Sequence, residues 1–447
     1  MQRYEDYTSV PAAWLKELPL HWDCKKIGSL FSERKTKVSD KEYQPLSVAK
    51  IGVVPQLESA VKTDAGDNRK LVCAGDFVIN SRSDRKGSCG VSELDGSVSL
   101  INIVLTPRNQ WNGKYVHYLM RSQPFSEEYY RYGRGIVSDL WTTRFSEMKN
   151  ILLPIPYRSE QDQIVRFLDW KVSMINRLIN TKRKEIKAVD VMKRSMVSSA
   201  VTRGLNMNAP MRFSGVKWLG NIPAHWTTIK LRQLLSPVSV KNHPELPLLS
   251  VVREQGVIVR DVDDKEVNHN YIPDDLSGYK VVKKGQFAMN KMKAWQGSYG
   301  ISNYTGIVSP AYFIFNVAFD NLEYFHYAIR SKVFVNFFAQ ASDGIRVGQW
   351  DLQMDKMKEI PFIVPPADEQ IAIVEYIKKT LPKYDKAIEK LTAEVATLEE
   401  YKAKLIADVV TGKVDVRYET IPDYEYIDEE ADSEEEGEGE ESEEQED

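Results

Sequence analysis

Residues 14–22 read Trp-Leu-Lys-Glu-Leu-Pro-Leu-His-Trp, and residues 218–226 read Trp-Leu-Gly-Asn-Ile-Pro-Ala-His-Trp, 204 positions later. Further matches follow in the same order, at offsets of 210 and 209. They pair residues 75–80 with 285–290, residues 115–125 with 324–334, and Glu160-Gln161 with Glu369-Gln370. Such a period is far longer than the unit of any solenoid. The sequence therefore predicts a tandem duplication of a whole domain together with a helical segment.

Each copy changes character after a proline cluster, at residues 154–156 and 365–366. The segment that follows places apolar residues at heptad spacing, which is typical of coiled-coil strands. In the first copy the heptad positions begin with Leu168, Val172, Ile175 and Ile179, and in the second with Ile377, Leu381, Tyr384 and Ile388. Proline breaks most helices, so Pro382 predicts a break in the second segment, and its counterpart Ser173 predicts a bend at the same place in the first. The long helices are then expected over residues 173–201 and 383–410 only.

The chain order is domain, helix, domain, helix. If the first helix runs from domain one to domain two, the second must return for the apolar seams to meet, so the pair is expected to be antiparallel. Short β-like runs at residues 100–105 and 311–315 lie between Gly, Pro and Asn turns, which indicates mixed domains. The predicted class is α+β, with two tandem-duplicated domains joined by two long helices that form an antiparallel coiled coil. The predicted bounds are domain 1 at 1–157, a central helical repeat at 158–205, domain 2 at 206–366, a C-terminal helical repeat at 367–417 and a disordered acidic tail at 418–447.

The charge of the 447-residue chain is divided unevenly. Its net charge of −4 hides a tail, residues 418–447, with 17 acidic residues and no Lys or Arg. Residues 1–417 then carry 60 basic against 47 acidic residues, a net charge of +13. A basic body favours a phosphate backbone as partner, although many basic proteins bind no nucleic acid. The tail is too charged and too poor in apolar residues to be expected to fold.

Two loops in each copy combine cationic or amide side chains with glycine and aromatic residues. Such side chains form bidentate hydrogen bonds to guanine or adenine edges, so the loops are candidates for a DNA-binding surface. An ordinary solvated surface stays the alternative. The candidate residues are Arg82, Arg85, Lys86 and Arg134 in the first copy, and Lys291, Lys293, Gln296, Arg346 and Gln349 in the second. Trp141 and Trp350 recur at one offset and are expected to lie in the core.

Motifs that would support catalysis are missing from the sequence. Pro365-Pro366 is followed by Ala367 rather than by the aromatic residue of an amino-methyltransferase loop, and Gly113-Lys114 and Gly412-Lys413 lack the spacing and hydroxyl of a phosphate-binding loop. The six histidines are expected to be structural, and the three cysteines to be reduced. No signal peptide or long apolar run is present, which predicts a cytoplasmic protein. A non-catalytic role is expected, with no metal site.

Three ordered segments resemble a known family. They are the opening at 213–226, the Pro-x-x-x-Glu-Gln segments at 156–161 and 365–370, and the helix ends Val201-Thr202-Arg203-Gly204 and Val410-Thr411-Gly412-Lys413. Over residues 14–417 the chain resembles the specificity subunit of Type I restriction–modification systems. The acidic tail is not part of that pattern.

The resemblance implies a function and a set of partners. Each variable domain is expected to be a target recognition domain that reads one half of a bipartite, asymmetric sequence in double-stranded DNA. The helical repeats are expected to dock two methyltransferase subunits, together with restriction/translocase subunits. Those partners imply S-adenosylmethionine, ATP and Mg2+, none of which this chain is expected to bind. The alternative is a coiled-coil scaffold that binds only proteins.

Overall fold

The structure of the chain is a computed structural model that describes residues 2–56, 66–82, 86–108, 111–135, 141–260, 272–273, 275–346 and 349–428. The chain divides into two compact units. Unit 1 comprises Met1–Arg183 and Ala393–Asp447, and unit 2 comprises Lys184–Thr392. Each unit therefore contains one α+β domain, the start of one long helix and the end of the other. The predicted domain bounds cut the chain differently and stay a prediction.

Unit 1 is built on a four-stranded antiparallel sheet in the order β10-β9-β12-β4, with a three-stranded sheet in the order β11-β8-β5. The pairs β1-β2, β6-β7 and β3-β13 complete it. Its strands are β1 (Tyr7–Ser9), β2 (Glu17–Pro19), β3 (Asp23–Lys26), β4 (Phe31–Glu33), β5 (Lys37–Val38), β6 (Leu46–Ala49), β7 (Gly52–Pro55), β8 (Arg69–Val72), β9 (Phe77–Asn80), β10 (Cys89–Val91), β11 (Gly96–Val98), β12 (Asn102–Pro107) and β13 (Leu152–Ile155). Its helices are α1 (Ile27–Leu30), α2 (Gly113–Arg121), α3 (Gln123–Arg131), α4 (Phe145–Met148) and the first part of α5 (Arg158–Arg203).

Unit 2 repeats this plan with a four-stranded sheet in the order β17-β24-β21-β22. Its other strands pair as β14-β15, β16-β27, β18-β19, β20-β23 and β25-β26. The strands are β14 (Met211–Phe213), β15 (Asn221–Pro223), β16 (Thr227–Lys230), β17 (Leu235–Val238), β18 (Leu249–Val252), β19 (Gly256–Val259), β20 (Lys280–Val282), β21 (Phe287–Asn290), β22 (Tyr299–Ile301), β23 (Gly306–Val308), β24 (Tyr312–Val317), β25 (Ser342–Arg346), β26 (Gln349–Leu352) and β27 (Pro361–Val364). The helices are α6 (Leu231–Leu234), a 3-10 helix (Lys291–Gln296), α7 (Leu322–Ile329), α8 (Lys332–Gln340), α9 (Met354–Lys358) and the first part of α10 (Ala367–Val410).

Aromatic side chains fill the core of each unit. In unit 2 the rings of Phe287 and Phe325 meet edge to face with centroids 5.8 Å apart, and Phe362 lies 4.9 Å from Phe325. In unit 1 Phe31, Phe77 and Tyr129 are fully buried. The β-like runs predicted at 100–105 and 311–315 form β12 and β24, the central strands beside β9 and β21.

The two long helices are antiparallel within each unit. In unit 1 Lys182 pairs with Glu394 at 3.1 Å, and the earlier residue Asn176 accepts a hydrogen bond from the later Lys402 at 3.2 Å. In unit 2 Lys193 pairs with Asp385 at 2.6 Å. The heptad positions Leu168, Val172, Ile175, Ile179, Ile377, Val395, Leu405 and Val409 are buried. The predicted antiparallel coiled coil is confirmed.

The predicted helix breaks are wrong. Helix α5 runs unbroken through Ser173, and α10 runs unbroken through Pro382. A proline inside a helix removes the hydrogen bond to the carbonyl four residues earlier, here that of Lys378. Because Pro382 and Lys378 are both exposed, this carbonyl can be solvated. Packing along the rest of a long helix then outweighs the lost bond.

The repeated sequence motifs meet in space where a long helix begins. In unit 1 Glu160, in the first turn of α5, accepts a hydrogen bond from the Tyr4 hydroxyl at 2.7 Å and lies 2.8 Å from Nε2 of His21. In unit 2 Glu369 lies 2.5 Å from Nε2 of His225 and accepts a hydrogen bond from the indole of Trp226 at 3.0 Å. A carboxylate in the first helical turn is also favoured by the helix dipole.

The end of the other long helix lies at the same place in each unit, which is called the helix junction here. The Tyr7 hydroxyl donates to the carbonyl of Gly412 at 3.0 Å, and Gly204 packs against the ring of Trp226 in unit 2. Both glycines have positive φ, 75° for Gly412 and 74° for Gly204, which ends a helix with little strain only at glycine. The repeated motifs of the sequence therefore mark one junction that is built twice.

The prediction of a disordered tail over 418–447 is wrong for its first part. Residues 418–428 are described and contact α5 through their main chain. Hydrophobicity and charge did not reveal this contact, because backbone hydrogen bonds do not depend on the composition of the segment. Residues 429–447 lie outside the described residues.

Candidate nucleic-acid interface

The first candidate loop follows strand β9 in unit 1. Asn80 accepts a hydrogen bond from the backbone of Arg82 at 3.0 Å and so turns the chain away from the sheet. Arg82 and Arg134 then both form β-bridges to Thr142, one on each side. The Arg134 and Thr142 backbones exchange two hydrogen bonds, at 3.2 and 3.0 Å. Two loops that are distant in sequence thus bring two exposed arginines together.

Lys86 and Trp141 extend this surface. The Lys86 ammonium lies 5.4 Å from the centre of the Tyr130 ring, a cation–π contact that leaves the residue exposed. Trp141 is 39% exposed, so its predicted place in the core is wrong. It lies one residue before Thr142, and its recurrence with Trp350 suggested burial because a repeated tryptophan is usually a core residue. Arg85 lies outside the described residues.

The second candidate loop is the 3-10 helix that follows β21 in unit 2. Asn290 caps it by accepting from the backbone of Met292 at 3.0 Å, and Gly297 ends it with a φ of 99°. Lys293 is exposed, and Gln296 is partly exposed. The Lys291 ammonium is engaged by Asp351 at 2.6 Å. Of the three candidate side chains of this helix, Lys291 is therefore the one that forms an ion pair within the protein.

The hairpin β25-β26 packs on this 3-10 helix. The rings of Trp295 and Trp350 lie 5.1 Å apart, so Trp350 is half-buried rather than deep in the core. Arg346 and Gln349 face each other across the hairpin as backbone partners. The side chains of both residues lie outside the described part of the structure. The backbone therefore places these two predicted residues beside the helix that carries Lys291 and Lys293.

The two units differ at equivalent positions. Arg82 of unit 1 corresponds to Met292 of unit 2 at the offset of 210, and Thr142 corresponds to Asp351 at the offset of 209, with Lys291 one residue before Met292. Where unit 1 joins an exposed arginine to a neutral threonine, unit 2 joins a lysine to a carboxylate. The same scaffold thus presents different charges and different hydrogen-bonding groups in the two units.

Histidine and cysteine residues have structural surroundings. The Nδ1 atoms of His117 and His326 accept hydrogen bonds from the backbones of Val91 and Ile301, at 3.4 and 3.2 Å. Cys24, Cys73 and Cys89 are free thiols, and burial raises the pKa of Cys89 to about 12. Within the described residues no group of three or more His, Cys, Asp or Glu is placed to hold a metal ion. No described helix is long and apolar enough to cross a membrane.

Comparison with known proteins gives matches in structure alone. No protein-family model and no curated protein matches the chain. A chain of a Type I R-M system, solved for its complex assembly and conformational transition, is similar with a TM-score of 0.59 and 12% identity, over 89% of this chain and 99% of that chain. The HsdS subunit from Thermoanaerobacter tengcongensis matches with a TM-score of 0.41 and 14% identity, over 91% and 100% of the two chains. The Type I S subunit from M. genitalium matches with a TM-score of 0.30 and 14% identity, over 88% and 96%.

The two similar units and the paired long helices define a duplicated α+β protein with an antiparallel coiled coil. This fold is shared, over nearly its whole length, with a chain of a Type I R-M system. The predicted resemblance is thus confirmed at the level of the fold.

Proposed function

We propose that this chain is the specificity subunit of a Type I restriction–modification complex. In this proposal it binds double-stranded DNA at two different half-sites, one for each unit, and carries out no catalysis itself. The half-sites differ because the two units present different side chains at equivalent positions. The target is therefore asymmetric and bipartite.

The observation that carries the proposal is the pair of equivalent loops after β9 and β21. Each loop leaves the end of a central strand at an asparagine, Asn80 or Asn290, that bonds the backbone two residues later, at 3.0 Å in both cases. Exposed cationic side chains follow directly, Arg82 and Lys86 in unit 1 and Lys293 in unit 2. A rigid sheet that presents variable basic loops is a suitable device for reading base edges, while other cations bind phosphates. The +13 charge of residues 1–417 adds sequence-independent attraction to DNA.

The partners in the proposal follow from the shared fold and the duplicated helices. Two methyltransferase subunits bind one copy of this chain, because each unit contains an equivalent helix junction. Restriction/translocase subunits complete the complex. The methyltransferase uses S-adenosylmethionine, and the motor-nuclease uses ATP and Mg2+. These cofactors belong to the partners.

The proposal is tested by selecting bound sequences from randomised DNA, with the purified chain alone and with a methyltransferase subunit encoded beside it. Two short half-sites with a fixed gap are expected. Native mass spectrometry of the saturated complex is expected to show two methyltransferase subunits for each copy of the chain.

The matched control is Lys404→Ala, which removes an exposed cation from helix α10 rather than from a loop. It should leave the selected half-sites unchanged. If the chain binds methyltransferase but selects no sequence, with or without the partner, a scaffold that binds only proteins replaces this proposal. A single palindromic site would contradict the assignment of one half-site to each unit.

A further inference from the structure

The segment that follows α10 makes a turn at residues 416–419 and then lies along the first part of α5 without regular secondary structure. The Gln163 amide donates to the carbonyls of Val416 and Glu419, at 3.0 and 2.9 Å. The Asn176 and Asn180 amides donate to the carbonyls of Ile427 and Asp428, both at 3.0 Å. The segment, residues 416–428, is called the latch here. It runs in the same direction as α5, since its later residues contact later residues of the helix.

Ser173 forms the centre of this contact. Its hydroxyl donates to the carbonyl of Glu425 at 2.9 Å and accepts from the backbone of Ile427 at 2.8 Å. Ser173, Asn176 and Asn180 are 2%, 4% and 5% exposed. All three side chains bind the main chain of the latch, so the helix recognises an extended backbone rather than particular side chains.

A neighbouring residue orients the recognition groups. Lys402 of α10 donates to Oδ1 of Asn176 at 3.2 Å, which leaves the amide nitrogen of Asn176 directed at Ile427. This lysine is part of the coiled coil within unit 1. The face of α5 that binds the latch is therefore preorganised by the helix pair.

Charge and aromatic contacts complement the main-chain contacts. Arg177 lies 3.5 Å from the carboxylate of Glu425, and the Lys114 ammonium lies 5.4 Å from the centre of the Tyr426 ring. Burial, followed by the neighbouring Asp428 carboxylate, raises the pKa of Tyr426 to about 12. The latch carries acidic and tyrosine side chains, and the face beneath it carries Arg177 and Lys114, of which Lys114 also pairs with Asp169 at 3.0 Å. The face thus fits an extended acidic peptide.

The second copy has no such face. At an offset of 209, Ser173, Asn176 and Asn180 correspond to Pro382, Asp385 and Glu389. Proline and ionised carboxylates cannot donate a hydrogen bond to a carbonyl oxygen. Asp385 also pairs with Lys193 at 2.6 Å. The row of polar side chains formed by Ser173, Asn176 and Asn180 is therefore found on α5 but is not repeated on α10.

We propose that residues 163–180 of α5 form a receptor for an extended acidic peptide, and that the latch is the occupant in cis which keeps an acidic segment of a partner protein out. The side chains of Ser173, Asn176 and Asn180 are polar and would be hydrated once the latch opens, whereas Val416 at the start of the latch is fully buried. Attachment to the same chain gives the latch a high effective concentration, which lets a weak contact stay closed. This inference does not depend on DNA binding.

The experiment separates the latch from its receptor in the full-length chain. Ile427→Pro removes the backbone donor to Ser173 and weakens the latch without touching α5. A fluorescent synthetic peptide of residues 416–428 serves as the probe. We expect Ile427→Pro to bind this peptide more tightly than the unchanged chain, by about 2- to 10-fold for each hydrogen bond that the latch loses.

The receptor is tested by adding Asn176→Ala and Asn180→Ala to the Ile427→Pro chain, which should abolish peptide binding. The matched control adds Thr181→Ala instead, because the Thr181 hydroxyl bonds only the carbonyl of Arg177 in its own helix, at 2.8 Å. That control should bind the peptide as the Ile427→Pro chain does. Circular dichroism of each variant checks that the long helices persist.

Equal affinity of the unchanged and Ile427→Pro chains for the peptide would overturn occupancy in cis. Equal affinity with and without Asn176 and Asn180 would overturn the receptor. In the unchanged chain, hydrogen exchange at the Ile427 amide should be slow and should accelerate in Ser173→Ala. Fast exchange in the unchanged chain would also contradict the proposal.

Discussion

The hydroxyl of Tyr115 donates a hydrogen bond to the carbonyl oxygen of Val410, 3.4 Å away and 295 positions later in the chain. The same hydroxyl lies 3.3 Å from the carbonyl of Pro154. In unit 2 Tyr324 repeats this arrangement, with Val201 at 3.2 Å and Ile363 at 3.4 Å. Burial raises the pKa of both tyrosines well above the ordinary value. In each unit, a buried and uncharged tyrosine therefore donates a hydrogen bond to a carbonyl at the end of a long helix.

The glycine that ends α10 is expected to be essential for the unit 1 junction. A Cβ on Gly412 would lie 2.5 Å from Cδ of Pro19, and the backbone there has a φ of 75°. Gly75 has a φ of 92° with no atom within 4 Å of its Cβ position, so Gly75→Ala is the matched control for strain alone. We expect Gly75→Ala to lower the free energy of unfolding by about 1 kcal/mol and Gly412→Ala by about 1–3 kcal/mol more. Urea denaturation measures both changes in the free energy of unfolding. Equal changes would show that the side chains around Gly412 move aside without loss of stability.

Two buried histidines should make the protein sensitive to acid. Burial, with help from neighbouring arginines, lowers the pKa of His117 from 6.5 to about 3 and that of His326 to about 4. Below pH 6.5 these histidines take up protons in the unfolded chain but not in the folded chain. The contribution of the two histidines to the free energy of unfolding is therefore complete above pH 6.5 and is lost as the pH falls toward their pKa values in the folded chain. His117→Gln should reduce the loss of unfolding free energy between about pH 7 and pH 5 by roughly 2 kcal/mol.

The control for the pH prediction is Thr181→Ala, because a threonine side chain does not titrate in this pH range. Its pH dependence should follow that of the unchanged protein. A His117→Gln chain with the original slope would mean that the ring of His117 is solvated in the folded state.

The two loops should act on different half-sites. Under the proposed function, Arg82→Ala with Arg134→Ala should weaken recognition of one half-site by about 1–3 kcal/mol for each lost bidentate contact, and Lys293→Ala with Gln296→Ala should weaken the other. Binding to DNA with single-base changes in either half-site measures the two effects. If a pair lowers affinity for all sequences alike and reduces the salt dependence, its residues contact phosphates instead.

The tail should contain two parts with separable effects. Ending the chain after Asp428 removes 13 acidic residues but keeps the latch. This change should raise non-specific DNA affinity, most at low salt where screening is weak, and leave stability unchanged. Ending it after Lys413 also removes the hydrogen bonds to Ser173, Asn176 and Asn180 and should lower the stability of unit 1. Coincident binding isotherms at low salt for the chain with and without residues 429–447 would exclude competition with DNA.

Features with a local period could be predicted from the sequence. The heptads that include Leu168 and Ile377 predicted the helix pair, because the apolar seam has the period of a coiled coil. The repeated motifs predicted two similar domains. Neither signal showed which residues meet, so the contacts of Glu160 with His21 and of Glu369 with His225 were not foreseen.

The errors have a common physical origin. The usual behaviour of proline predicts a helix break at Pro382, and that of tryptophan predicts burial of Trp141. The surroundings of each residue decide instead that the helix continues and that the tryptophan is exposed. The latch was missed because Ser173, Asn176 and Asn180 bind carbonyl oxygens, which every residue has. The candidate loops stay a prediction from cationic and amide side chains near a strand end, and the sequence does not predict the bridge that joins Arg82 and Arg134 through Thr142.

The composition of unit 1 from both ends of the chain has a consequence for protein synthesis. Residues 184–392 form unit 2 as one continuous stretch, whereas unit 1 needs residues 393–428 as well as residues 2–183. During translation the first α+β domain leaves the ribosome early, and the contacts of Tyr115 with Val410 and of Tyr7 with Gly412 form only once the end of α10 has been made. Unit 2 can therefore complete its fold on the ribosome before unit 1, although its sequence comes second. A chain released prematurely within α10 would lack these contacts of unit 1 and leave the unit open to proteases.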